Sequence, residues 1–136
     1  MAYKSIFRVY YEDTDAGGVV YHSNYLKFAE RARTEMLRQA GVNQTEIAKS
    51  HAIYFVVRDI SVQFIKPAML DDELEILTKI EKIGAASMLL LQDIICNNAI
   101  LSSLQVKIAC VTKEENGFSP CKIPNFIVNK LDYDNK

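Results

Sequence analysis

A chain of 136 residues, 49% of them hydrophobic, has the material for one domain with a core of its own. That composition, with a net charge of −1, excludes a disordered chain. Its 16 Lys and Arg are interleaved with 17 Asp and Glu, which argues against the basic stripe of a nucleic-acid binder.

Cys96, Cys110 and Cys121 contain no C-x-x-C pair, so their spacing predicts neither a disulfide framework nor a zinc site. They are expected as small buried hydrophobes in a reducing compartment. Residues 1–5 lack the apolar stretch of a signal peptide. No apolar run is long enough to span a bilayer. The expectation is a cytoplasmic protein without a transmembrane segment.

In chain order, alternation over residues 5–11 predicts a first strand. A loop rich in carboxylates and glycine follows. A helix is predicted over 24–40, with Ser23 or Asn24 as its N-cap and Gly41 at the left-handed C-terminal position. Tyr25, Phe28, Ala29, Ala32 and Met36 fall on one apolar stripe, and Arg31 with Glu35 makes an i,i+4 pair elsewhere. Asn43 and Glu46 have capping-box spacing for a short second helix ending near Ser50.

From Ile53 the period changes to two. Strands are predicted over 54–65, 72–83, 87–97 and 100–112. In the second, Leu74, Ile76 and Ile80 mark one face and Glu73, Glu75, Lys79 and Glu81 the other. Asn97-Asn98 suits a tight hairpin turn. Residues 87–95 are apolar on both faces apart from Gln92 and Asp93, so this strand is expected to be covered on both sides. A short helix over 124–131 closes the chain, with Pro124 in its first turn. Strands in succession make antiparallel meanders. One amphipathic helix cannot bury its stripe alone, so the expected fold is α+β, a curved antiparallel sheet wrapped around the long helix.

Residues 10–25, Tyr-Tyr-Glu-Asp-Thr-Asp-Ala-Gly-Gly-Val-Val-Tyr-His-Ser-Asn-Tyr, gather three carboxylates, two glycines and one of two histidines where strand gives way to helix. An EF-hand reading from Asp13 fails, because Gly17 takes the fifth position and Asn24 the twelfth. His22 and His51 flank opposite ends of the helical region, so no metal site is expected. Phosphate-cradle motifs and the nucleophile elbow are missing. A carboxylate acting as base or nucleophile beside a positive helix end remains, with His22 near it. On residue type alone, Glu12, Asp13 and Asp15 serve equally well as turn or helix-dipole residues.

The run Arg8 to Leu26 resembles the start of hotdog-fold acyl-CoA thioesterases. It is most similar to the branch encoded with the bacterial Tol-Pal envelope system, related to 4-hydroxybenzoyl-CoA thioesterase. Similar runs follow at Glu30-Arg31-Ala32-Arg33-Thr34-Glu35, at Phe55-Val56-Val57-Arg58, at Phe64-Ile65-Lys66-Pro67-Ala68 and at Asp72-x-Leu74-Glu75-Ile76. Beyond Glu114 the likeness fades.

This resemblance implies a five-stranded hotdog domain over 1–136 that hydrolyses an acyl-CoA thioester. It implies Asp15 as the catalytic carboxylate, His22 as a contact to the thioester or its water, and Tyr11 in the same site. Homodimers or homotetramers with active sites between subunits follow from it, and no cofactor does. Arg58 and Lys66 match family runs and are the candidates for CoA phosphates. Acyl carrier protein is a second possible carrier of the acyl group. The resemblance leaves Gly17-Gly18 as a local departure, where relatives vary. Two rival readings stand beside the hydrolase. A dehydratase of the same fold needs an H-F-P motif, whereas His22 is followed by Ser23-Asn24. A thioester- or acyl-carrier-binding module without catalysis needs no active Asp15.

Overall fold

The computed structural model describes residues 2–133. Strand β1 (Ala2–Arg8) is followed by a single 3-10 turn (Tyr11–Asp13), helix α1 (His22–Gln39) and helix α2 (Gln44–His51). Strands β2 (Ile53–Phe64), β3 (Glu73–Ile83), β4 (Ser87–Cys96), β5 (Ala99–Glu114) and β6 (Gly117–Pro120) follow, then helix α3 (Asn125–Val128). The strands form one antiparallel sheet in the order β1-β3-β4-β5-β2. The short β6 pairs with the end of β5, beyond the point where β4 stops. The sheet therefore has six strands rather than the expected five.

Helix α1 buries the expected stripe, with Tyr25, Phe28, Ala29, Ala32 and Met36 all closed to solvent. The facing side of the sheet supplies Leu74, Ile76 and Ile80 from β3 and Met88, Leu90 and Ile94 from β4. Full burial of each such side chain contributes about 1.5–3 kcal/mol, which holds a helix of otherwise polar character on the sheet. Register shifts at Val57/Asp59 in β2, at Ile80/Lys82 in β3 and opposite Ile94/Ile95, where Leu101 is the extra residue of β5, interrupt the ladders. Bulges of this kind raise the local twist and let a sheet curl over one helix.

Local details separate legible from illegible sequence. Asn43 caps α2 through its side chain, which accepts from Glu46 N at 3.1 Å. Gly41 is left-handed at φ +86°, and Asn97 and Asn98 take φ +51° and +66° in the β4–β5 turn. Other expectations are corrected. β1 lies three residues earlier than expected, because the chain leaves the ladder after Arg8 and tightens into the 3-10 turn. The Arg31–Glu35 pair does not form: Glu35 bonds Arg38, and the Arg31 guanidinium lies 5.6 Å over the Phe28 ring. Pro124 is the N-cap of α3 rather than its first-turn residue. Of the cysteines, Cys96 and Cys110 are buried and Cys121 is only half-buried. No helix among the described residues is long and apolar enough to cross a membrane.

Candidate active site

After β1 the chain is held to the start of β3, where Val9 N donates to Asp72 O at 2.8 Å. Asp13, 6% exposed, then works as an internal clamp. Its Oδ2 accepts from Tyr10 N and its Oδ1 from Asn24 Nδ2, both at 2.9 Å. Its carbonyl accepts from Tyr21 N at 3.1 Å. The turn and the first helical residues therefore form one unit. The expected cap is Ser23 or Asn24, whereas the N-cap is Tyr21 and both residues lie inside the helix with Ser23 ahead of Asn24. The Asn24 amide is instead turned inward to Asp13, and α1 starts two residues earlier.

Between these anchors, residues 15–19 make a tight reversal. Asp15 N donates to Val19 O at 2.9 Å, and Gly18 N donates to Asp15 O at 3.0 Å. Gly18 sits at φ +78°, a conformation that costs most residues strain. Gly17 N donates to Asp15 Oδ1 at 2.8 Å. A Cβ on Gly17 would stand 3.3 Å from that same oxygen, so the glycine leaves room for the contact. Asp15 Oδ2 has no hydrogen-bond partner among the described residues, and the side chain is exposed.

Helix α1 begins at His22. Its N-cap, Tyr21, is extended at φ −68°, ψ 142° and gives no side-chain cap. Asn24 N donates to Tyr21 O at 2.9 Å, and the N–H groups of His22 and Ser23, without a partner among the described residues, are left to whatever lies before them at the positive end of the helix. The His22 ring lies tilted against Phe64, centroids 5.2 Å apart, and Phe64 also meets Tyr25 edge-on at 5.3 Å. Tyr25 is buried, and its hydroxyl accepts from Ala68 N at 2.9 Å. These contacts join the helix start to the end of β2. They enclose a cleft of 230 Å³ lined by Val19, Val20, His22, Tyr25, Phe64, Ile65, Lys66 and Pro67.

Of the residues singled out in the sequence, His22 and Lys66 share this cleft. Asp15 stands on the reversal whose return limb supplies Val19 and Val20. Tyr11, 81% exposed, opens the 3-10 turn outside it. Arg58 is the exposed extra residue of the β2 bulge, also outside it. Sequence reasoning missed Phe64 and Tyr25 as the aromatic walls. The exposure of Phe64 at the end of β2 is the signal, and it appears only with the fold.

A larger cavity of 380 Å³ lies along the other half of the same edge. Phe55, Val56 and Val57 of β2, Met88 and Leu90 of β4 and Glu30, Arg33 and Leu37 of α1 line it. Arg33, only 8% exposed, donates from Nη1 to Gln92 Oε1 at 3.0 Å. Gln92 Nε2 donates onward to Ala29 O and Thr78 Oγ1, each at 3.0 Å. Burial lowers the Arg33 pKa, and the nearby Glu30 carboxylate pulls against that shift.

A long helix laid on a curled antiparallel sheet, with an uncapped N-terminus beside a carboxylate-bearing reversal, defines the class of hotdog-fold proteins. The pattern of the thioesterase-like superfamily matches residues 9–131, and this chain belongs to that family. It is 45% identical over 104 residues to acyl-CoA thioesterase YbgC of Haemophilus influenzae, a match covering 76% of each chain. A probable thioesterase from Bartonella henselae superposes with a TM-score of 0.85 at 37% identity, over 91% of this chain and 100% of that one. A mutant 4-hydroxybenzoyl CoA thioesterase complexed with 4-hydroxybenzoyl CoA shares the fold. Its TM-score is 0.92 at 14% identity, covering 96% of this chain and 99% of that one.

Proposed function

We propose that this protein hydrolyses acyl-CoA thioesters to the free acid and CoA. The observation that carries the reading is the Asp15 carboxylate, with one oxygen tied to Gly17 N and the other without a partner among the described residues, ahead of a helix start with no side-chain cap. In this reading the thioester carbonyl oxygen faces the first turn of α1. Backbone N–H groups there hold the developing oxyanion, and one such donor contributes about 2.7–4 kcal/mol in a dry site. Asp15 either attacks the carbonyl carbon, breaking the C–S bond to expel the CoA thiolate and giving an anhydride that water then opens, or takes a proton from the water whose attack breaks that bond. His22 orients the water or the carbonyl. Lys66, at the cleft, is the candidate for CoA phosphate, and neither metal nor organic cofactor is needed. Tyr11 and Arg58 lie outside the cleft of one protomer and act, in this reading, only across a subunit contact.

The assembly completes the proposal. β2 is an edge strand of 12 residues that leaves Val56, Val57 and Phe64 exposed, with Ile65 exposed just beyond its end. Long apolar edges are pairing surfaces. We infer a homodimer in which β2 pairs antiparallel with its own copy. A two-fold axis near the middle of β2 then sets the smaller cleft of one protomer against the larger cavity of the other, giving the acyl group its pocket. Val57→Lys, at a position 46% exposed, is expected to halve the mass in light scattering and to remove turnover. A wild-type monomer with full activity refutes the shared site. Further pairing of dimers into tetramers, a cytoplasmic location, a place beside the Tol-Pal system and acyl carrier protein as donor belong to the same reading.

The direct test is thiol release from short, long and aromatic acyl-CoAs and from acyl carrier protein. Turnover of at least one supports the hydrolase and names its acyl class. Binding of these thioesters without turnover favours a non-catalytic module.

A further inference from the structure

Two of the three cysteines meet. Cys110 lies within β5, and Cys121 directly follows β6. The β5–β6 register runs Val111↔Pro120 and Thr112↔Ser119, and one more step sets Cys110 opposite Cys121. Cys121 N donates to Cys110 O at 3.0 Å, so the ladder continues through this pair. Their sulfurs stand 3.5 Å apart. Residues opposite each other in an antiparallel pair have Cα separations of about 4.5–5.5 Å, inside the range a disulfide spans. A bond between them therefore needs side-chain rotation and no displacement of a strand.

We propose that Cys110 and Cys121 form an oxidative modification site, in which a hydroperoxide converts the two thiols into an intramolecular disulfide. The two sulfurs have different access. Cys110 is fully buried at 0% exposure, while Cys121 reaches solvent. Burial, with the Cys121 sulfur beside it, pushes the Cys110 thiol up to about 12. Cys121 is thus the thiol that meets the oxidant. Its thiolate attacks the peroxide O–O bond, giving a Cys121 sulfenic acid and releasing water or alcohol once a proton is taken up. The Cys110 sulfur then displaces the sulfenic hydroxyl. An S–S bond forms, an S–O bond breaks, and the Cys110 proton leaves with the hydroxyl as water. Two thiols lose two electrons and one peroxide gains them. Cys96 has no such neighbour and is the internal control: its thiol is pushed up by burial and by Asp72 beside it.

The bond would pin β5 to the connection that carries Ile123 and Ile127 into the core. Native protein is treated with hydrogen peroxide, quenched, alkylated after denaturation and digested without reductant. The expected result is one linked peptide joining Cys110 and Cys121, lighter by two hydrogens, with Cys96 alone alkylated. A thiol reductant restores all three thiols. The thermal midpoint rises on oxidation and falls back on reduction, because the link restricts the unfolded chain. Cys121→Ser, at the half-buried position, loses both the link and the shift. In Cys110→Ser a sulfenic-acid trap labels Cys121. Sulfinic or sulfonic acid at Cys121 with Cys110 still reduced, or a link between two chains, overturns the proposal. The readout is independent of thioester hydrolysis.

Discussion

Asp15→Asn is expected to lower kcat for acyl-CoA hydrolysis by about 10³–10⁴-fold while leaving KM nearly unchanged. Asn keeps the side-chain carbonyl oxygen that accepts from Gly17 N, so the reversal retains its shape. What it loses is the negative charge, and with it either the attacking oxygen or the proton acceptor. The loss therefore falls on the transition state rather than on binding. Parallel thiol-release and calorimetric binding measurements on both proteins check this. Equal cleavage by the two proteins would reduce Asp15 to a turn residue and move the chemistry elsewhere. Loss of binding with loss of turnover would mean that the substitution damaged the cleft.

Gln92→Leu is expected to be the most destabilising single change of similar volume, by about 2–4 kcal/mol. Gln92 is fully buried and serves three partners from the middle of β4. Leu would fill the space but leave the Arg33 guanidinium without its acceptor in a largely dry wall. The midpoint of thermal unfolding is expected to fall by roughly 10 °C. The double substitution Arg33→Leu/Gln92→Leu should recover more than half of the loss, since it removes both ends of the interaction. A single Gln92→Leu variant as stable as wild type would show that Arg33 finds water instead.

These two sites were legible to different degrees. β3 could be read directly, because Leu74, Ile76 and Ile80 alternate with charges and one buried face enforces the register. The hairpin at Asn97-Asn98 was equally plain, since both residues tolerate positive φ. Gln92 appeared only as a polar interruption in an apolar strand. Its partners lie 14, 59 and 63 residues away, and no local period carries that information. Asn24 has the right chemistry for a helix cap, yet Asp13 captures its amide, and a tertiary bond overrode a local preference. β6 is four residues long and ends in proline, below any detectable alternation. The meeting of Cys110 with Cys121 depends on that strand and was hidden with it. Asp15 drew attention through its company of glycines and helix start, but residue type alone did not separate it from Glu12 and Asp13.

The two borders of the sheet have opposite character. At one border β1 carries Lys4 paired with Glu75 and Arg8 paired with Glu73, while on the other β2 leaves Val56, Val57 and Phe64 exposed to either side of Arg58 and Asp59. Charges along a border discourage a further strand from docking there. A border that pairs with its own copy about a two-fold axis is consumed in doing so. With β2 paired as proposed, growth along the sheet would stop at two chains, short of the open-ended fibre that two sticky borders would permit.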